Sequence, residues 1–426
     1  MYDIIIVGGG AAGLMAAKIL SAGGKKILLL EAKKDLGGRI YRVENFSTPA
    51  EGGAEFIHGN LKTTLSLLKE ANVKKENVKG QVCRLENGKW KANNNIVPHW
   101  DSLLKQMQDC KEDMTVNDFL QYFFHEKKYD VLRRQFTKYV EGYDAADTNN
   151  TSIFAIRKEM EGEDEGQYRP QAGYMALIDF LKDECLKCNA KIKTGEPVLQ
   201  ITREKNVEVI TSLAKYSCRK IIIAVPLGVL QCSFTGKEII NFPNCLTDHI
   251  DAAKTIGNGG VIKFLMEFDK AFWLDKKFLN EKNIPPPSYI LTDALVPTWW
   301  TQYPSANPLL TGWLAGPASY KMKNYSEKEL KEIAIESLSA IFSMPVADLE
   351  TRSKVSKIIN WINEPYILGG YSYTTILTEK ARRLLIQPVE DSFYFAGEYV
   401  AKNSLSTVDA ALQSGKEVAE KILKDK

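Results

Sequence analysis

Three glycines and one acidic residue near the N-terminus have types and a spacing that suit phosphate and sugar binding. Gly8, Gly10 and Gly13 fit the pattern G-x-G-x-x-G, and Glu31 follows about 20 residues later. Gly8 permits a tight turn, Gly10 has no side chain to block a pyrophosphate, and Gly13 lets the next helix approach the strand. Glu31 lies where an acceptor for a ribose hydroxyl is needed. These residues predict a dinucleotide-binding site.

The elements around these residues are the ones that such a site requires. An apolar run at residues 4–7 predicts a strand buried on both faces of a parallel sheet, and a run at 27–30 predicts another. Between them, helix-forming residues begin directly after Gly10 and end at the glycine pair 23–24, a favourable C-cap. The predicted helix therefore presents its positive N-terminal end to the phosphates.

A second group of residues near the C-terminus has a similar setting. A short aromatic run predicts a buried strand, and Gly397 and Glu398 follow at its carboxyl end, where open α/β sheets bind ligands. We expect a helix to begin near Thr407, with Ser406 and Asp409 in the spacing of a capping box. The N-terminus of that helix would point at the same ligand.

Two further motifs lie between these ends. They are Gly37-Gly38-Arg39 and the run Glu-Gly-Gly-Ala-Glu-Phe-Ile-His-Gly at 51–59. Together with both ends, they resemble the flavin amine oxidase family, which includes monoamine oxidases, polyamine and spermine oxidases, L-amino-acid oxidases and lysine-specific histone demethylases. The resemblance implies FAD rather than NAD as the cofactor. Arg39 would then meet phosphate oxygens, a task that suits a guanidinium group.

The resemblance covers most of the chain and implies the α/β fold class. The expected architecture is a Rossmann-like FAD-binding domain of the amine oxidase type with an interleaved α+β substrate-binding domain. We expect the FAD-binding domain to comprise residues 1–75, 166–235 and 351–426. The substrate-binding domain would comprise 76–165, where apolar residues recur at helical spacing, and 236–350.

The resemblance also implies which residues contact FAD and how FAD is held. The residues that match the family's cofactor contacts are Gly8, Gly10, Ala12, Gly13, Glu31, Gly38, Arg39, Gly53, Ala54, Glu55, Val198, Trp361, Gly397, Glu398, Thr407 and Val408. Val198 would meet the adenine through its backbone, and Glu398 would contact the ribityl or phosphate region. Gly370 stands where monoamine oxidases carry the cysteine that bonds FAD, so the resemblance implies noncovalent FAD.

Lys263 admits two interpretations. Period-2 alternation places it on the same strand face as Val261 and Leu265, and a solvated lysine on a half-exposed strand is the ordinary outcome of such a pattern. The surrounding segment, however, resembles the family's strand that carries a lysine holding a water against flavin N5. A buried ammonium could position that water and assist reoxidation of the flavin, which implies a catalytic role for Lys263.

Three other residues match positions at which the family recognises its substrate. Tyr371 would form one aromatic wall of the path to the flavin, and Thr407 the opposite wall, where monoamine oxidases have a second tyrosine. A threonine there implies a wider entrance, which favours a longer or a secondary amine. His58 resembles the histidine of spermine and polyamine oxidases that faces the substrate, although a lone histidine is often structural. The tryptophans that could add to an aromatic pocket are Trp299, Trp300 and Trp361.

Charged residues help to distinguish between polyamines and amino acids as possible substrates. Polyamines need distal carboxylates, which the acidic run at 159–165 could supply, although a solvated acidic loop also explains that run. Glu55 could meet a substrate cation or pack near FAD. L-amino-acid oxidases hold the substrate carboxylate with an arginine soon after the Gly-Ala motif. Here no arginine follows until Arg84, which counts against amino acids, although Lys62 weakens this point.

Composition excludes several classes of protein. The chain has 426 residues and 44% hydrophobic residues, which indicates a globular protein of about two domains. A net charge of +3 without an arginine-rich run disfavours nucleic acid as a partner. Seven scattered cysteines and four histidines give neither a disulfide framework nor a metal spacing. No signal peptide and no membrane-spanning run is evident, so we expect a soluble cytoplasmic monomer or homodimer.

The sequence thus predicts a soluble FAD-dependent amine oxidase. As the resemblance implies, a hydride would pass from the amine α-carbon to flavin N5, water would hydrolyse the imine, and O₂ would reoxidise the flavin to give H₂O₂. A polyamine-like or secondary amine is favoured. The alternatives are a monoamine or L-amino-acid oxidase, a flavin-dependent desaturase or dehydrogenase that does not use O₂, and a non-catalytic flavoprotein that binds a partner.

Overall fold

The chain folds around two large β-sheets in a computed structural model that describes residues 1–92, 97–162, 166–231, 239–401 and 406–424. The described strands are β1 (Tyr2–Val7), β2 (Ile27–Leu30), β3 (Arg42–Val43), β4 (Ala50–Glu51), β5 (Ile57–His58), β6 (Lys75–Asn77), β7 (Gln81–Glu86), β8 (Lys89–Ala92), β9 (Gln167–Pro170), β10 (Lys191–Lys193), β11 (Val198–Arg203), β12 (Val207–Thr211), β13 (Lys215–Ile223), β14 (Gly257–Asn258), β15 (Val261–Phe268), β16 (Pro287–Thr292), β17 (Thr298–Trp300), β18 (Leu309–Ala315), β19 (Ser353–Asn360), β20 (Ser372–Tyr373) and β21 (Phe393–Phe395). The described α-helices are α1 (Ala11–Ala22), α2 (Lys62–Glu70), α3 (Trp100–Asp109), α4 (Val116–Phe123), α5 (Asp130–Tyr143), α6 (Ile153–Gly162), α7 (Met175–Lys187), α8 (Leu227–Gln231), α9 (Thr247–Lys254), α10 (Lys276–Lys282), α11 (Pro317–Lys321), α12 (Glu327–Phe342), α13 (Val346–Arg352), α14 (Thr378–Leu385) and α15 (Val408–Lys424). Short 3₁₀ helices lie at Lys127–Tyr129, Asn244–Leu246, Phe272–Leu274 and Glu398–Val400.

The first sheet has the parallel core that the sequence predicts. Its strand order is β10-β2-β1-β13-β12-β11, and β21 also pairs with β13. The strands β10, β2, β1, β13 and β21 run parallel, whereas β12 is antiparallel to β11 and to β13. Because these strands come from the beginning, the middle and the end of the chain, one Rossmann-like sheet brings the N-terminal and C-terminal motifs together. The predicted fold class is confirmed.

Helices cover both faces of the first sheet. On one face, α1, α7 and α15 bury an apolar core that includes Leu14, Leu181 and Leu412. On the opposite face, α8, α9 and α14 contribute to a second core. α1 lies close to β1 because Gly13 has no side chain, since a Cβ there would lie 2.0 Å from the Gly8 carbonyl oxygen. This close packing fixes where the N-terminus of α1 points.

The second sheet lies mainly in the segments that we expected to bind the substrate. Its strand order is β19-β15-β18-β17-β16-β7-β8, and neighbouring strands are antiparallel except for β16 and β7. All eight residues of β15 are buried. α12 packs on one face of the sheet through Leu330, Ala334 and Leu338. β19, from the segment that we expected in the FAD-binding domain, joins this second sheet as its edge strand.

The segment from 76 to 165 is not helical throughout. Its first part forms strands, and β7 pairs with β16 from a distant part of the chain. Such pairing depends on tertiary contacts that the local periodicity does not record. The described residues from Trp100 to Gly162 include α3 to α6, whose apolar faces pack together around Phe119 and Phe136.

The start of α15 differs in detail from the predicted capping box. α15 begins at Val408, close to the predicted position, but the cap is Thr407, whose Oγ1 accepts a hydrogen bond from the N–H of Ala410 (3.1 Å). The predicted pairing of Ser406 with Asp409 is wrong. The Asp409 carboxylate instead accepts from the N–H of Thr64 at the start of α2 (2.6 Å), because this buried acid faces α2.

Candidate active site

A large cavity joins the two sheets. It has a volume of about 2120 Å³, starts at the carboxyl ends of β1 and β2, and is also lined by residues of β15, β16, β17 and β18. Pockets for drug-sized ligands are about 300–1,000 Å³. The cavity therefore has room for a dinucleotide and for a second molecule beside it.

Nearly all the site residues predicted from the sequence line this cavity. The residues concerned are Gly8, Gly10, Ala12, Glu31, Gly38, Arg39, Gly53, Ala54, Glu55, His58, Lys263, Trp361, Tyr371, Gly397, Glu398, Thr407 and Val408. Gly13 does not line it, because it is the contact point between α1 and β1. Val198 lines a small adjoining pocket of about 40 Å³ together with Gly8 and Glu31. The fold thus gathers residues that are almost 400 positions apart in the chain.

Backbone from two glycine-rich loops forms one end of the cavity. The N–H of Gly37 donates to the carbonyl oxygen of Gly9 (2.9 Å), and Gly10 forms a bridge with Gly37. A Cβ at Gly10 would meet no atom closer than 3.8 Å, so a side chain there would project into the cavity. Gly10 is also the N-cap of α1. The unpaired N–H groups of that helix end and the space beside them fit a pyrophosphate.

Glu31 lies at the glycine-rich end of the cavity. Its carboxylate accepts hydrogen bonds from the N–H groups of Gly9 (2.6 Å) and Lys33 (2.8 Å), which fix its orientation. Burial raises the pKa of Glu31, and these N–H groups oppose that rise. Glu31 lines both the cavity and the adjoining pocket that holds Val198.

Arg39 and Glu398 form an ion pair where the N-terminal and C-terminal motifs meet. The Arg39 Nη1 donates to Glu398 Oε1 and to the Gly370 carbonyl oxygen, both at 2.8 Å. The Ser372 hydroxyl donates to Glu398 Oε2 at 2.5 Å. Thr407 lines the same cavity at the start of α15, which adds a second positive helix end. This part of the cavity suits an anionic or strongly polar ligand.

Lys263 is buried, so the interpretation as a solvated lysine is wrong. Only 1% of its surface is exposed, because β15 is a central strand and not a half-exposed one. Its Nζ donates to Glu55 Oε2 (3.0 Å) and to the Gly53 carbonyl oxygen (3.1 Å). It also lies 5.1 Å from the centre of the Trp300 ring, within the range of a cation–π interaction. Lys263 therefore brings a positive charge to the wall of the cavity.

Glu55 is the centre of a buried polar network. Its Oε2 accepts from Lys263 and from the Trp300 indole N–H, both at 3.0 Å. Its Oε1 accepts from Arg169 Nε (3.0 Å) and, more weakly, from the Gln302 amide (3.5 Å). Burial would raise the pKa of Glu55, but the charges of Lys263 and Arg169 and these hydrogen bonds outweigh it and lower that pKa. Glu55 is therefore a carboxylate at neutral pH.

Aromatic side chains form the walls next to this network. The cavity-lining members of the group are Phe56, His58, Tyr143, Tyr289, Trp300, Trp313 and Tyr371, whose ring centres lie 5.5–6.3 Å apart in successive pairs. Trp300 and Trp361 line the cavity as the sequence allowed, whereas Trp299 does not. Trp299 lies on the opposite face of β17, where it packs on Phe264 and Gly312. Rings in this arrangement suit an organic cation.

His58 projects from β5 into the aromatic part of the cavity. Its Nδ1 lies 3.3 Å from the Gln167 amide nitrogen and 3.4 Å from the Tyr143 hydroxyl. Desolvation by the surrounding protein lowers the pKa of His58 to about 4. The ring is therefore neutral at physiological pH and does not repel a positively charged ligand.

Tyr371 is held in place by its neighbours. Its hydroxyl donates to the Tyr143 carbonyl oxygen (2.6 Å), and its ring stacks on Trp313 at 6.3 Å with an angle of 17°. Burial raises the pKa of Tyr371 well above its ordinary value, and the nearby carboxylates of Asp144 and Glu159 add to this effect. Both acids line the cavity. Tyr371 thus combines a ring contact with Trp313 and an electrostatic interaction with two acids of the cavity.

Several residues of this end were not expected from the sequence. Arg169, Tyr289 and Trp313 carried no recognisable local pattern, and Asp144 lies apart from the acidic run. Of that run, Glu159 lines the cavity, Glu161 does not, and Glu163, Asp164 and Glu165 lie outside the described residues. The only available signal for Asp144 was its position directly after α5, next to Tyr143.

Within the parts of the chain that the structure describes, three kinds of feature are absent. No helix there is long and apolar enough to cross a membrane. No group of histidine, cysteine and acidic side chains there could hold a metal ion. The described cysteines are all unpaired: Cys83, Cys110, Cys185, Cys188, Cys218 and Cys245. Cys232 lies outside the described residues.

Comparison with known proteins identifies the family. The model of a family described as flavin containing amine oxidoreductase matches residues 11–423. The chain belongs to this family. The predicted resemblance to this family is therefore confirmed.

Individual members resemble the chain over most of its length. Lysine-specific histone demethylase 2 of Homo sapiens is 23% identical over 98% of this chain, which spans about half (53%) of that protein's length. Polyamine oxidase 4 of Oryza sativa subsp. japonica is 24% identical over 92% of this chain and 82% of its own. Among solved structures, wild-type putrescine oxidase bound to putrescine superimposes with a TM-score of 0.79 at 17% identity, over 99% of both chains. At that identity the structure shows a shared fold.

Proposed function

We propose that this flavin-containing amine oxidase binds FAD noncovalently and oxidises an extended amine that carries more than one positive charge. The supporting observation is one cavity that has a glycine-rich end and an aromatic, acidic end. When bound, FAD would accept a hydride from the amine α-carbon at N5 and pass the electrons to O₂, giving H₂O₂. Water would hydrolyse the imine that the amine becomes.

FAD would lie along the carboxyl ends of the first sheet. The N–H groups beside Gly10 would bind the pyrophosphate, and Glu31 would accept from a ribose hydroxyl. The backbone of Val198 would meet the adenine, and Arg39 with Glu398 would hold the phosphate and ribityl region. In this arrangement the FAD-binding domain is built around the first sheet. The substrate-binding domain is built around the second sheet and α3 to α6.

The residues that line the cavity support noncovalent binding. Gly370 occupies the position at which monoamine oxidases carry their FAD-linked cysteine, and it lines the cavity. Among the described residues, no cysteine lines the cavity. Denaturation should therefore release the flavin into the supernatant as intact FAD.

The amine would bind at the aromatic end. Tyr371, Trp300 and Trp313 offer ring faces to an ammonium group, and neutral His58 adds no repulsion. Asp144 and Glu159 supply negative charge beside Tyr371, as a second amino group of a polyamine requires. Thr407 would leave the entrance wider than a tyrosine would, so a secondary amine could reach the flavin.

Lys263 would act at the reacting end of the amine. Glu55 and Gly53 use two of its three N–H donors among the described residues, which leaves one for a water in the cavity. That water would lie against flavin N5. Positive charge at this point would favour electron transfer to O₂.

One experiment tests both the cofactor and the reaction. The yellow holoprotein is supplied aerobically with putrescine, spermidine, spermine, benzylamine and L-leucine, and H₂O₂ is measured against amine consumed. We expect peroxide in equal amount to amine, with spermidine or spermine as the best substrate. Preference for benzylamine or leucine would favour a monoamine or amino-acid oxidase. Amine consumption without peroxide would favour a dehydrogenase, and absence of any turnover would contradict enzymatic amine oxidation.

A further inference from the structure

The carboxylate of Glu55 has no room for a substrate cation. A carboxylate offers about four acceptor sites, and Lys263, Trp300, Arg169 and Gln302 approach them at 3.0–3.5 Å. The side chain is buried, although an edge of the residue reaches the cavity. The function of Glu55 must therefore be exerted on its neighbours.

Among those four neighbours, Lys263 and Trp300 line the cavity, and Lys263 is the one of these two that carries a charge. Arg169 does not line the cavity, and its Nη2 donates to the Thr301 carbonyl oxygen (3.1 Å) while its guanidinium covers the Phe56 ring. Lys263 lines the cavity, and its hydrogen bonds to Glu55 and Gly53 use two of its three N–H donors. We infer that Glu55 is a positioning residue that holds the Lys263 side chain in place and aims its remaining N–H donor at the flavin. This inference rests on the proposed function, because it assumes that the flavin lies beside Lys263.

The charges around the pair support this role. Glu55, Lys263 and Arg169 together carry a net charge of +1, and the other titratable groups that face them are Glu51 and Tyr289. Burial raises the pKa of Tyr289, so this phenol stays neutral. Without the Glu55 carboxylate, Lys263 would be a buried ammonium beside a second cation. The two cations would then repel each other, and no carboxylate would hold Lys263 at its present position.

The affinity of the oxidised flavin for sulfite depends on nearby charge, and it can be measured without any amine substrate. Sulfite adds reversibly to an oxidised flavin and bleaches its absorbance, and the product is anionic, so positive charge nearby favours it. The sulfite dissociation constants of wild type and Glu55→Gln are measured from about pH 6 to about pH 9, and their ratio is followed. If Glu55 acts through Lys263, we expect this ratio to differ by about threefold or more from the same ratio measured in a Lys263→Met background.

Two controls assign the effect to the pair. Glu51→Gln removes the other nearby acid, whose carboxylate accepts from the Tyr174 N–H and not from Lys263, and its effect on sulfite binding should depend less on Lys263 than the effect of Glu55→Gln does. In the Lys263→Met background, adding Glu55→Gln should change the sulfite dissociation constant little, because the residue on which Glu55 acts is absent. An equal change with and without Lys263, or no change in Glu55→Gln alone, would overturn the inference.

A failure of Glu55→Gln to fold or to bind flavin would also be informative. The single variant raises the net charge of the three groups to +2, whereas Glu55→Gln/Lys263→Met restores +1. If Glu55 acts through Lys263, the double variant should regain folding and flavin content. If it does not, the inference is wrong. Sulfite binding is independent of amine turnover, so an enzyme that no amine reduces would refute the proposed function but not the pairing.

Discussion

The two ends of the cavity are built in different ways. The glycine-rich end is formed by backbone from short, contiguous motifs, in which Gly10 and Gly37 bring two loops together. The aromatic end is formed by side chains from β5, β9, β15, β16, β17 and β18, from α5 and α6, and by Tyr371, and these meet only in the folded chain. A backbone-built site tolerates little change at its glycines, whereas a site built from side chains can change its ligand one residue at a time. In the proposed function, the first end binds the cofactor and the second end selects the amine.

The largest effect is expected from Gly10→Val. A side chain at this position would project into the cavity where the pyrophosphate is proposed to lie. We expect FAD binding to weaken by more than about a hundredfold, which corresponds to about 3 kcal/mol, as flavin content after gel filtration would show. Gly142→Ala is the matched control at the other end, because a Cβ there meets no atom within 4 Å. If Gly10→Val retains its flavin, the glycine end is not the cofactor site.

Lys263→Met should separate cofactor binding from catalysis. The substitution does not touch the flavin contacts proposed at the glycine end, so the flavin content should remain that of the wild type. Turnover should fall by roughly a hundredfold, because a charge at the reacting centre is lost. Lys321→Met, which changes another lysine that lines the cavity, should have little effect on turnover with a small amine. Turnover of Lys263→Met at the wild-type rate would remove Lys263 from the mechanism.

A smaller and more selective effect is expected at the acidic side chains. Asp144→Asn and Glu159→Gln each remove one negative charge from the aromatic end. We expect KM for spermidine to rise by about fivefold to tenfold with kcat nearly unchanged, since an ion pair in a partly solvated site is worth about 1 kcal/mol. Benzylamine, which has one amino group, should show a much smaller change. Equal losses for both amines would mean that these acids do not recognise a second ammonium group.

The smallest effect concerns stability and not catalysis. Burial raises the pKa of Glu51 from 4.5 to about 7, against the attraction of Lys263. The folded state therefore holds a proton that the unfolded chain releases, so this contribution to stability is complete below about pH 4.5 and is lost as the pH rises to about 7.

Glu51→Gln should reverse that loss, because the amide remains neutral and can still accept from the Tyr174 N–H. We expect the variant to be more stable than wild type by roughly 1–3 kcal/mol at about pH 8 and similar to it at about pH 4.5. Thermal unfolding at both pH values measures this. A variant that is less stable at the higher pH would show that Glu51 contributes as a carboxylate.

The difference between the two ends also explains what the sequence could predict. G-x-G-x-x-G, the acid after β2 and the strand before Gly397 are local patterns, and the first sheet that they predict is present. Lys263 was ambiguous because period-2 alternation does not distinguish a central strand from a half-exposed one. Trp299 and Trp300 are neighbours on one strand, and only the packing of β17 decides which of the two faces the cavity. The partners of Glu55 lie 114 to 247 positions away in the chain, so no local pattern could reveal them.

Anaerobic mixing tests most directly whether the two ends act on one reaction. The oxidised holoprotein is mixed without O₂ with spermidine, with benzylamine and with buffer, and the flavin absorbance is followed. We predict that spermidine bleaches the flavin fastest, and that Asp144→Asn and Glu159→Gln weaken its saturation without abolishing the bleaching. A flavin that stays oxidised with every amine, in a protein that retains its FAD, would contradict the proposal that the cavity places an amine against the cofactor.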